Sequence, residues 1–104
     1  MIFFAGLNRT EDAVLHRYVI ERDMPGVGLN DEAGLCDVAK VSNAALKKLA
    51  PKVQWDHSYV TMDKIFCVYI AEDEKAVREH ARLSGFPITR ITQVKAVIDP
   101  TTAK

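Results

Sequence analysis

The sequence predicts an α+β domain: a four-stranded antiparallel sheet with two helices on one face, in the order β-α-β-β-α-β. Two observations carry the prediction. Runs of β-formers are interrupted twice by stretches whose apolar residues recur at helical spacing. The two middle β runs are separated only by Met62-Asp63, a link that only a hairpin spans. With 104 residues the chain has the length of one domain.

Arg17 to Asp23 forms the first strand and stops at Met24-Pro25-Gly26. After a loop, Asn30 or Asp31 caps a helix with Glu32 in its first turn. Leu35, Val38, Ala39, Ser42, Ala45, Leu46 and Leu49 make its buried stripe. Lys47 and Lys48 suit its C-terminus, and Pro51 cannot continue it. Val53 to Thr61 and Lys64 to Ala71 are the second and third strands. Glu72-Asp73-Glu74 opens a second helix that buries Val77, His80, Ala81 and Ser84. Gly85 supplies the left-handed residue after its last turn. Arg90 to Asp99 is the fourth strand. Two interleaved β-α-β crossovers around a central hairpin give a split, ferredoxin-like arrangement over residues 17–100. Residues 1–16 are expected to form an N-terminal extension and residues 101–104 a tail.

Composition narrows the function. The chain is 48% hydrophobic and 27% charged, ordinary for a protein with a core. Fourteen Lys and Arg balance fourteen Asp and Glu, so nothing draws the chain to nucleic acid or to a membrane surface. No apolar run reaches the ~20 residues of a membrane span. The apolar start lacks a positive n-region and reads poorly as a secretory signal. Cys36 and Cys67 are too few for a disulfide scaffold, so free thiols in a reducing cytoplasm are expected.

Strand alternation sorts side chains between the helix-covered face and the open face. Tyr18 and Ile20 are expected under the helices, with Val19, Glu21 and Asp23 opposite. Phe66, Val68 and Ile70 are expected inward, leaving Ile65, Cys67 and Tyr69 outward. In the second strand Ser58 and Val60 inward place Trp55, His57 and Tyr59 outward, which requires a longer loop or a bulge. Ile91, Gln93, Lys95 and Val97 complete the open face. Such a face is too apolar for water, and a homodimer with two open sheets facing each other is the simplest cover.

Several strings carry a resemblance. Tyr18-Val19-Ile20-Glu21-Arg22-Asp23-Met24-Pro25-Gly26, Trp55-Asp56-His57-Ser58-Tyr59-Val60-Thr61, Lys64-Ile65-Phe66-Cys67-Val68-Tyr69 and Arg78-Glu79-His80-Ala81-Arg82 occur in order, followed by Ala96-Val97-Ile98-Asp99-Pro100-Thr101. Together they resemble a family of small bacterial proteins, one branch of which is nickel-binding and nickel-responsive. The resemblance spans about residues 17–102. It implies a ferredoxin-like protomer, a dimeric α/β-barrel assembly, and nickel or another divalent transition metal as ligand. It points to Glu21, His57, Tyr59, Cys67 and His80, each within a matching string. Asp56 departs from the pattern, where an apolar residue is expected.

Three readings follow. In a metal-binding or metal-responsive dimer, His57 with Glu21 or Asp23 would supply nitrogen and oxygen donors, with His80 a further candidate. Against this, Glu21 can pair with Arg22 or Lys95, and a histidine in an apolar stripe is usually a satisfied core residue. In a small-molecule binder or enzyme, Trp55, Tyr59, Cys67, Tyr69 and Lys95 would shape a pocket, and His57 would act as acid or base. In the third, the polar groups of the open face only specify dimerisation. No HExxH, CxxC, P-loop or GxGxxG string occurs.

Overall fold

The computed structural model describes residues 14–104. The expected N-terminal extension therefore lies, for residues 1–13, outside the described residues. Strand β1 is His16–Asp23, helix α1 Glu32–Leu49, strand β2 Val53–Val60, strand β3 Lys64–Ala71, helix α2 Glu74–Ser84 and strand β4 Arg90–Gln93. The sheet runs β2-β3-β1-β4, and every neighbouring pair is antiparallel. The β-α-β-β-α-β order and the four-stranded sheet are as the sequence predicts. Among the described residues no helix is long and apolar enough to cross a membrane.

Local chemistry places the element ends. Asp31 caps α1 by accepting from the Gly34 amide at 2.9 Å, and Asp73 caps α2 by accepting from the Ala76 amide at 2.8 Å. Gly85 ends α2 at φ 80, the left-handed region that suits glycine. Gly28 lies against the β2–β3 turn, where its amide donates to the Met62 carbonyl at 2.9 Å. A Cβ on Gly28 would come within 2.6 Å of the Met62 Cα and 2.7 Å of the Thr61 carbonyl.

Both helices sit on one face, over a core that includes Tyr18, Ile20, Val53, Ile65, Cys67, Tyr69, Ala71 and Val77. This reverses the expected facing of β3. Tyr18 pairs with Tyr69 and Ile20 with Cys67, and laterally paired residues share a face. Ile65, Cys67 and Tyr69 therefore point to the helices, and Phe66, Val68 and Ile70 point away. Trp55 also turns inward, where it packs against the core. A bulge at Asp56, between Trp55 and His57, then lets His57 and Tyr59 face outward while Ser58 and Val60 return inward.

Strand β4 is shorter than the expected Arg90 to Asp99. It pairs with β1 from Glu21 back to Tyr18, and the Val94 amide adds one bond to the Arg17 carbonyl at 2.8 Å. Strand β1 begins only two residues before Tyr18, so the chain beyond Val94 soon has no ladder to join. Ile91 pairs with Ile20 and faces the helices. Lys95, Val97 and Ile98 are exposed away from the sheet.

Candidate functional site

The open face is built from rows of paired residues. Tyr59, Phe66, Glu21 and Arg90 form one row; His57, Val68, Val19 and Thr92 form the next. Its apolar members occupy the middle strands, with Val68 buried and Val19, Phe66 and Ile70 half-buried. The charges lie beside them in separate groups.

His57 holds a defined place on β2. Its Nδ1 lies 2.6 Å from Asp56 Oδ2, and its ring meets the Tyr59 ring edge-on at 5.0 Å between centroids. A carboxylate only accepts, so Nδ1 carries the hydrogen, and in the neutral ring that tautomer leaves Nε2 its lone pair. The side chain is 44% exposed, open to a ligand. Arg17 Nη1 stands 3.6 Å from the same Asp56 oxygen. The bulge makes this cluster, because it puts two successive side chains, Asp56 and His57, on one face.

Glu21 and Asp23 form a different group. Lys64 Nζ lies 2.6 Å from Glu21 Oε2 and 3.5 Å from Asp23 Oδ1. The hydrogen bond to Glu21, then its charge and that of Asp23, raise the Lys64 pKa. The partner of Glu21 is thus Lys64, not Arg22 or Lys95. Strand β3 runs between His57 on β2 and Glu21 and Asp23 on β1, so the two carboxylates stand apart from the imidazole.

His80 is on the other side of the sheet. It is fully buried in α2, with Nε2 at 3.2 Å from Ser42 Oγ and its ring tilted against Tyr69. Burial, and then the Arg22 charge, lower its pKa to about 4, so it is neutral at ordinary pH. His80 and His57 cannot meet on one ion within a protomer. Among the described residues no three His, Cys, Asp or Glu side chains gather as a metal cluster.

Trp55, Cys67 and Tyr69, expected on the open face, instead line a cavity between the inner sheet face and α1. Burial pushes the Tyr69 hydroxyl up to about 12. Arg22, expected only as a salt-bridge partner, is 1% exposed in the same region. Its position was legible: the parity that sends Tyr18 and Ile20 inward also sends Arg22 inward. Asp56 carried a signal too, as the polar residue in an apolar slot.

A family profile described as "Nickel responsive protein SCO4226-like" matches residues 18–94. The fold is similar to the crystal structure of SCO4226 from Streptomyces coelicolor A3(2), with a TM-score of 0.67 and 15% identity over 79% of this chain and 99% of that one. A structural-genomics structure of the protein YJCS aligns with a TM-score of 0.46 and 14% identity, covering 81% of this chain and all of the other. No curated protein sequence matches the chain.

Proposed function

Because this chain belongs to the SCO4226-like family of nickel-responsive proteins, we propose that it binds nickel as a homodimer through His57 on the open sheet face. One observation carries the reading: the Asp56 carboxylate holds His57 Nδ1 at 2.6 Å. Metal-ligating histidines commonly donate their second ring nitrogen to a carboxylate, which sets the tautomer and raises the basicity of the free nitrogen. His57 is already in that arrangement, and an imidazole nitrogen suits nickel.

One histidine is too few donors for a tight site. The apolar strip of Val19, Phe66 and Ile70 beside His57 favours a second copy as its cover, and a second copy brings a second His57–Asp56 pair to the same face. Glu21 and Asp23 remain reserve oxygen donors, available where the metal displaces Lys64. Nickel would supply a cationic centre that links the two chains. The residues of this chain supply the donor, its orientation and the apolar surround.

Calorimetric titration of nickel into protein purified without a histidine tag tests the proposal. Wild type should bind, and His57→Asn should bind at least ~10-fold more weakly, about 1.4 kcal/mol. Equal affinities, or no binding by wild type, would remove His57 as the metal residue. His80→Gln should bind as wild type does.

A further inference from the structure

The cavity beneath α1 has a volume of about 150 Å³. From α1 it is lined by Leu35, Val38 and the small side chains Ala39 and Ser42. Its walls are mostly apolar, with Trp55, Ile65 and Phe86 among them. Among the described residues Arg22 is the one charged residue lining it.

Arg22 is poorly compensated. Nη1 donates to the Pro87 carbonyl at 2.8 Å, and Nη2 makes only a long 3.5 Å contact with the Tyr69 hydroxyl. The buried Nε–H has no partner among the described residues. Among the described residues no carboxylate lies within ion-pairing distance of the guanidinium. The rings of Tyr69 and Phe86 stand 5.9 and 5.7 Å from its central carbon, which offsets part of the desolvation. The surrounding titratable groups leave the charge unbalanced. Tyr69 keeps its proton, and His80 is neutral. A buried guanidinium without a counter-ion is costly, and the missing partner is an anion.

We propose that this cavity is a binding site for a small carboxylate with an apolar body, an aromatic or branched aliphatic acid. The carboxylate pairs with Arg22, whose planar fork suits it. The body fills the space beside Trp55, Ile65 and Phe86. An apolar cavity of about 150 Å³ accommodates a benzene ring, which sets the size class. The site lies across the sheet from His57, so it stands independently of the nickel reading.

Trp55 is the chain's single tryptophan and lines the cavity, so its fluorescence reports entry. Titration of the full chain with benzoate should change Trp55 emission saturably. Benzamide, of the same shape but uncharged, should bind at least ~10-fold more weakly, as expected for a lost charged hydrogen bond. Arg22→Met should abolish the preference for the acid. Where that variant does not fold, Ala39→Phe fills the cavity and retains Arg22, and it should lose benzoate binding while its far-UV circular dichroism is kept. The proposal is overturned by an absent benzoate signal, by benzamide binding equally well, by sodium chloride giving the same change, or by a folded Ala39→Phe that still binds.

Discussion

At the scale of single residues, His80 and Arg22 are buried in the core, whereas Asp56 and His57 lie at the surface. His80 is kept neutral by burial and by the Arg22 charge, with a pKa near 4 against an ordinary 6.5. The unfolded chain takes up this proton as pH falls below 6.5, and the folded chain does not until about 4. The unfolded state thus binds more protons in that window, and stability is lost as pH falls through it. The stability is fully present above 6.5 and gone below 4; the loss is about 3 kcal/mol at ~1.4 kcal/mol per pH unit. His80→Gln keeps a hydrogen bond to Ser42 and does not titrate. Urea denaturation across this window should show a shallower fall for the variant than for wild type. Coincident slopes would mean that His80 is protonated, or solvated, in the folded protein.

At the scale of elements, close backbone approach and the bulge do the positioning. The loop after β1 is bound to the β2–β3 turn by Met24 and Gly28 amides donating to the Asp63 and Met62 carbonyls, both at 2.9 Å. The Gly26 amide adds a bond to Asp63 Oδ1 at 2.9 Å. Gly28 has no room for a Cβ, and the atoms in the way are backbone, which cannot rotate aside. Gly28→Ala should cost about 1–3 kcal/mol, the range for overpacking, and thermal or urea unfolding will measure it. An unchanged midpoint would show that the turn can shift. The bulge has a different consequence. A regular β2 would put alternate residues outward, and Asp56 and His57 could not share a face. One extra residue therefore creates the carboxylate–imidazole pair on which the nickel proposal rests.

At the scale of the whole molecule, both helices of the described residues pack on one face of the sheet and leave the other without a helix. Antiparallel sheets can leave one face to water when that face is polar. Here the middle of the open face carries Val19, Phe66 and Ile70, all half-buried, around a buried Val68, and Tyr59 beside them is 62% exposed. A homodimer is the expected state, and light scattering at micromolar concentration should give twice the 11.6 kDa chain mass. Tyr59→Glu places a charge on this face without touching the inner core. It should shift the mass to that of one chain and leave the secondary structure intact. A wild-type monomer would remove the shared-site half of the nickel proposal.

Element order, helix caps and the hairpin were legible in the sequence because each depends on neighbours a few residues away. Asp31, Asp73, Gly85 and the Met62-Asp63 turn act through local hydrogen bonds and backbone geometry. The facing of β3 was not legible. Ile65, Cys67, Tyr69 and Phe66, Val68, Ile70 are both apolar sets, so alternation cannot choose between them, and only pairing with Tyr18 and Ile20 decides. Trp55 needed the bulge, and the end of β4 needed the place where β1 begins. The candidate site divides in the same way. His57 and Glu21 were found on the open face by parity. Their separation, the Lys64 partner and the cavity around Arg22 come from segments distant in sequence, and only tertiary packing decides which of those meet.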